Sequence, residues 1–139
     1  MLQKFNFHHI GYAVYDIAET AFFYTSQGWS MSKIIIDRVQ NSQIAFLSKN
    51  NQPLIELVSP IDDKSPVTKI LEKNGVMPYH ICYEVNDIYE AIKIMRKKHF
   101  IPLFKPVEAI AFENRLICYL YNKNVGLIEL LGNEPTLLS

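Results

Sequence analysis

The chain repeats itself once, and each copy carries a histidine and a glutamate. His9-Ile10-Gly11-Tyr12-Ala13-Val14-Tyr15-Asp16-Ile17-Ala18-Glu19 matches His80-Ile81-Cys82-Tyr83-Glu84-Val85-Asn86-Asp87-Ile88-Tyr89-Glu90 at seven of eleven positions with no gap. A second match follows, Leu54-Ile55-Glu56-Leu57 returning as Leu127-Ile128-Glu129-Leu130, so that 47 residues separate His9 from Glu56 and 49 separate His80 from Glu129. A chain of 139 residues can bury one real core but not two conventional ones. The copies are therefore expected to be modules of a single domain spanning 1–139: module 1 at about 7–58, a connector helix within about 59–78, and module 2 at about 79–132.

Each copy reads as βαβββ. Residues 7–14 have strand character, and Asp16-Ile17-Ala18-Glu19 has the form of a capping box that starts a helix running to about Gln27, with Gly28 placed for a left-handed end. Ala18, Ala21, Phe22 and Thr25 are expected to form its apolar face. Two strands within 33–48, joined by a hairpin near Gln40-Asn41-Ser42, and a third at 53–58 complete the module. Ser65-Pro66 marks the N-terminus of a short helix ending before Gly75. The second copy follows with a strand at 79–85, the capping box Asp87-Ile88-Tyr89-Glu90, and a helix with Ile88, Ala91, Ile92 and Met95 on one face. Strands near 101–104, 115–121 and 126–131 come next, and the tail after Gly132 has no pattern and is expected to fray.

Fourteen basic and fourteen acidic side chains, with no run of like charge that suggests a tail, argue against nucleic acid or an anionic membrane as partner. The N-terminus lacks the apolar core of a signal peptide and no stretch approaches the length of a spanning helix, so a cytoplasmic location is expected. Cys82 and Cys118 lie in strand-like segments without Cys-x-x-Cys spacing and read as two reduced core thiols.

Side chains alternate along a strand, so His8 and His9 cannot both face one site; the repeat selects His9, which aligns with His80 while His8 aligns with Tyr79. In Leu-Ile-Glu-Leu a carboxylate sits among apolar neighbours twice over, and buried carboxylates are costly unless a cation accompanies them. A pseudo-twofold arrangement of the copies would gather His9, Glu56, His80 and Glu129. Two imidazoles and two carboxylates suit one divalent ion such as Ni, Co, Zn or Mn, with positions left for water or substrate oxygens.

With these residues in place, the chain resembles the vicinal oxygen chelate superfamily, whose members include glyoxalase I, methylmalonyl-CoA epimerase, extradiol dioxygenases and metal-free antibiotic-binding proteins. The resemblance runs from His8 to Leu131. It implies an α+β fold in which two tandem βαβββ modules form a cleft-like curved mixed sheet with helices outside. The epimerase branch is resembled through His9 to Val14, Glu56-Leu57-Val58-Ser59-Pro60 with Ser65-Pro66-Val67, and His80 to Val85. Bacterial glyoxalase I shares the His, Glu, His, Glu order. Two departures stand out. The epimerase's glycine-rich loop and His-Pro-Lys are replaced by Ala109 to Arg115 and by Tyr121-Asn122-Lys123, and Ser42 to Ala45 offer no second acid.

Both branches imply abstraction of a proton next to a carbonyl-type oxygen, with Glu129 as base, Glu56 able to serve the opposite face, and His9 and His80 as anchors of the ion. The implied substrate is an acyl-CoA thioester, or for a glyoxalase I (lactoylglutathione lyase) a glutathione adduct. Arg115 and Lys123, with Lys105, are candidates for binding its anionic groups. The aromatics Tyr12, Phe46, Tyr83 and Tyr119 read as core or cleft lining. A non-catalytic small-molecule binder is the alternative from another class, and retention of all four ligands argues against it. An extradiol dioxygenase is disfavoured by the fourth ligand, Glu56. Small members commonly dimerise, so a homodimer is expected.

Overall fold

Burial alternates along Asn6–Ala13, the first strand (β1) of the computed structural model, with His9, Gly11 and Ala13 on the buried side. The structure describes residues 4–135, which fall into two compact units: residues 9–79, and residues 4–8 together with 80–135.

In the first unit, the Asp16 carboxylate accepts the Glu19 N–H at 3.0 Å and starts α1 (Ile17–Thr25), and Gly28 beyond its end has φ +92°. The buried face of α1 differs from the expected one: Ile17 and Ala21 are buried with Tyr24 packed beside them, while Phe22 is 73% exposed. Residues 17, 21 and 24 form one i, i+4, i+7 stripe, and aromatics at 22, 23 and 24 leave the apolar pattern without a unique direction. Next come β2 (Ser30–Met31), β3 (Ile35–Asp37), β4 (Ser42–Ser48), β5 (Ile55–Pro60) and α2 (Pro66–Asn74). The sheet runs β2-β4-β5-β1, with β3 also on β4; β5 is antiparallel to β4 and parallel to β1. Ser65 caps α2 through the Val67 N–H, and Gly75 ends it at φ +73°.

The second unit repeats the order with β6 (Met77–Val85), α3 (Ile88–Lys97), β7 (Ile101–Pro102), β8 (Val107–Ala109), a 3-10 turn at Ile110–Phe112, β9 (Arg115–Asn122) and β10 (Gly126–Pro135). Asp87 accepts the N–H groups of Tyr89 and Glu90, and Ile88, Ala91, Ile92 and Met95 are the buried face of α3, as the periodicity requires. The sheet runs β6-β10-β9-β7, with β8 also on β9; β6 and β10 are parallel.

Each module has two short strands where one is expected after the helix, and β2 and β8 fall outside the expected ranges of 33–48 and 101–104. In the first unit Ser32 causes the break: its N–H bonds the Phe46 carbonyl at 2.9 Å while its Oγ accepts the Phe46 N–H at 2.8 Å, so a side chain replaces a ladder bond. In the second, Pro106 has no N–H to offer, and the chain rejoins β9 only at Val107. The last strand also continues past the expected end, through an irregularity after Leu131 to a pairing of Pro135 with Arg115; residues 136–139 of the tail lie outside the described residues.

Alternation gives each sheet two faces. One packs on a helix: Ala45, Leu47, Ile55 and Leu57 with Ile17 and Ala21 in the first unit, and Cys118, Leu120, Ile128 and Leu130 with Ile88, Ala91 and Ile92 in the second. Burial of each such aliphatic side chain contributes about 1.5–3 kcal/mol. The opposite face carries His9, Glu56 and Phe46 in one unit and His80, Glu129 and Tyr119 in the other. No described helix is long and apolar enough to cross a membrane.

Candidate metal centre

The parallel ladders fix each histidine against its glutamate. Gly11 is the partner of Glu56 and Cys82 the partner of Glu129, so each glutamate stands opposite the residue two places beyond the histidine and on the same face. His9 Nε2 lies 3.3 Å from Glu56 Oε1, and His80 Nε2 lies 3.1 Å from Glu129 Oε1. All four side chains are buried, His9 completely.

An aromatic completes each group. Phe46 is the antiparallel partner of Glu56, and Tyr119 that of Glu129. The Phe46 carbonyl accepts the Ser32 N–H, and the Tyr119 carbonyl accepts the Leu103 N–H at 2.8 Å, so the backbone of each aromatic is turned away from the glutamate strand. Each aromatic–glutamate pair is consequently of the non-hydrogen-bonded kind, in which side chains approach most closely. Phe46 meets the His9 ring edge-on at 6.1 Å between centroids, and Tyr119 meets His80 at 5.2 Å. The sequence groups these two with Tyr12 and Tyr83 as core or cleft lining and does not single them out. The signal was present, since each lies ten residues before its glutamate.

The other candidates lie elsewhere. The Arg115 guanidinium pairs with Glu84, and its Nε–H donates to the Gly132 carbonyl, which ties β9 to β6 and β10. Lys123 is exposed in the β9–β10 turn and Lys105 is exposed between β7 and β8. His8, the flanking histidine, packs edge-on against Phe112. Both cysteines are buried, and neither forms a disulfide. The Cys118 thiol donates to the Phe104 carbonyl at 3.2 Å, and burial pushes its pKa up to about 11.

Each of His9, Glu56, His80 and Glu129 offers one nitrogen or oxygen donor, and two imidazoles with two carboxylates form a set that fits a borderline divalent ion rather than a thiolate-seeking one. A buried carboxylate beside a buried imidazole, built twice at one register, defines a duplicated-module fold with acid–base and cation-binding capacity in both modules.

The chain belongs to the Glyoxalase/Bleomycin resistance protein/Dioxygenase superfamily, whose family model matches residues 8–119. It is 31% identical over 127 residues to the human mitochondrial methylmalonyl-CoA epimerase, covering 88% of this chain and 70% of that protein. The crystal structure of methylmalonyl-CoA epimerase from Mycobacterium tuberculosis superimposes with a TM-score of 0.82 at 24% identity, covering 94% of this chain and 89% of that one. A Streptomyces coelicolor methylmalonyl-CoA epimerase variant in complex with 2-nitronate-propionyl-CoA gives 0.79 at 24% identity, over 91% of this chain and 96% of that one. These structures establish the fold.

Proposed function

We propose that the chain is a divalent-metal-dependent epimerase acting on an acyl-CoA thioester, similar to methylmalonyl-CoA epimerase, with both modules in one domain and His9, Glu56, His80 and Glu129 ligating one ion. The observation that carries this reading is the buried histidine–glutamate pair repeated at one ladder register, in a chain whose relatives are methylmalonyl-CoA epimerases. When bound, the ion supplies Lewis acidity toward a carbonyl-type oxygen, worth several kcal/mol to a developing enolate.

The side chains do the rest. Glu129 removes the proton on the carbon next to the thioester carbonyl, and Glu56, from the other module, returns one to the opposite face. His9 and His80 transfer no proton and hold the ion. The residues of β4 that share a face with Glu56 are Ser42, Ile44, Phe46 and Ser48, none of them acidic, so the second acid–base role falls to Glu56 itself. Lys123 and the guanidinium that Glu84 immobilises at Arg115 are the cations proposed to meet the carboxylate and phosphates of the substrate. A homodimer is the proposed assembly.

Proton NMR in deuterated buffer, following methylmalonyl-CoA with protein loaded in turn with Co, Ni and Mn, tests the reading. Exchange at the α-carbon that disappears in Glu129→Gln supports it. Absence of exchange with metal demonstrably bound rejects this substrate and directs the same assay to the glutathione adduct of methylglyoxal. Failure to bind metal favours the non-catalytic binder.

A further inference from the structure

The two groups built at matching register differ at one position. Histidine matches histidine and glutamate matches glutamate, but Phe46 in the first unit is replaced by Tyr119 in the second. A phenol adds one donor where the first unit has only a phenyl ring. We infer that the Tyr119 hydroxyl is a substrate-contacting group: it donates a hydrogen bond to the thioester oxygen on which enolate charge collects, and so sets which way round the substrate lies. The inference rests on the epimerase reading above.

Three observations support it. Tyr119 is the cross-strand partner of Glu129, so the phenol and the proposed base share one sheet face in a close-pair geometry. The ring leans edge-on against His80 and against Phe104, at 5.2 and 5.9 Å between centroids, which restricts the directions the hydroxyl can take. His80 and Glu129 are buried whereas Tyr119 is only half-buried, so the aromatic is the member of its group that an incoming ligand reaches first.

The reaction itself needs an asymmetry. Proton removal from a carbon flanked by two different groups requires the thioester oxygen to be distinguished from a carboxylate oxygen, and identical histidine–glutamate pairs provide no distinction. Other differences on this face are Cys82 in place of Gly11, and Glu84 with Arg115 in place of Ala13 and Ser42; the Arg115 guanidinium is the cation proposed above for the anionic groups, which leaves the phenol for the thioester oxygen. A phenol O–H can donate as charge builds on the oxygen it faces.

The decisive comparison is wild type against Tyr119→Phe, which makes the second group match the first. Three quantities are read on each protein: bound metal per chain, the KM and kcat for α-proton exchange in methylmalonyl-CoA, and the calorimetric affinity for 2-nitronate-propionyl-CoA, a ligand of a related epimerase structure. The expected result is unchanged metal content, a kcat lower by about 10- to 100-fold with KM within about threefold, and nitronate affinity reduced by a similar factor. Loss of metal from the variant would mean that the hydroxyl acts through His80, and exchange within twofold of wild type would mean that it meets no charged oxygen; either result overturns the inference alone. No exchange by the wild-type protein overturns the epimerase reading and the inference with it.

Discussion

His80 meets Glu129 at 3.1 Å because the glutamate stands opposite Cys82, two residues further along the same parallel ladder. The relation recurs for His9 and Glu56 although the sequence spacings differ by two residues. The extra residues fall between the helix cap and the aromatic strand, in Asp87 to Arg115 as against Asp16 to Ser42, where α3 has 10 residues to the 9 of α1 and the connections absorb the rest. From aromatic to glutamate the spacing is ten in both copies. Register has been kept where side chains must meet and relaxed where they need not.

Replacing His80 by alanine takes the imidazole from beside a buried carboxylate. The expected cost is roughly 3 kcal/mol, read as a lower urea midpoint, together with at least tenfold weaker metal binding by calorimetry. His8→Ala is expected to leave metal binding within twofold, because His8 sits against Phe112 and aligns with Tyr79 in the other copy. Equal losses from both substitutions would refute the choice of His9 over His8.

Metal removal should lower stability by linkage. A divalent ion held by buried groups favours the folded chain, and at 100 times its dissociation constant contributes about 2.7 kcal/mol. Treatment with a chelator is therefore expected to reduce Tm by roughly 10 °C, with recovery on readdition of Co or Ni. A Tm indifferent to chelator and to added ion would count against the four-ligand proposal.

Parts of this architecture are legible in the sequence for identifiable reasons. Ile88, Ala91, Ile92 and Met95 stand out in α3 because Glu90, Lys93, Arg96 and Lys97 mark its other faces, and all four apolar residues are buried. α1 offers Ala18, Ala21, Phe22, Phe23 and Tyr24 in several directions, so only contact with Ala45, Leu47 and Leu57 selects Ile17 and Ala21. β8 is hidden by Pro106 before it and Glu108 within it, and becomes a strand only because β9 presents an edge. His9 and His80 are distinguishable because the repeat aligns them. Phe46 and Tyr119 pass as core residues until the register shows what each one faces.

Arg115 and Glu84 link β9 to β6, and the same guanidinium satisfies the carbonyl of Gly132, which lies in the irregular stretch of β10 after Leu131. Both side chains are partly exposed, so solvent screening limits their coupling to about 1 kcal/mol in a double-mutant cycle of Arg115→Ala and Glu84→Ala. Arg115→Ala should cost more than Glu84→Ala, because it also deprives the Gly132 carbonyl of its donor. Hydrogen exchange at 132–135 should increase in Arg115→Ala and stay near wild type in Glu84→Ala; the reverse order would show that the ion pair, and not the carbonyl contact, holds this end of β10.

Cys118 gives the fold an alkaline limit whose sign follows from its burial. The thiol ionises near its ordinary value of 9.0 in the unfolded chain, whereas burial on the α3 side of β9 pushes the folded value up to about 11. Below pH 9 both states are protonated and the thiol contributes its full stability. As pH rises through 9 toward 11 the unfolded chain loses a proton that the folded chain retains, and stability falls by about 2 kcal/mol. Urea unfolding at pH 8 and pH 11 should show the wild-type protein losing that much more than Cys118→Ala, which titrates at every other group but this one. Equal losses in the two proteins would mean that Cys118 ionises alike in both states. Alkylation supplies an independent check, since iodoacetamide at pH 8 should leave Cys118 unmodified in the native protein and label it readily in urea.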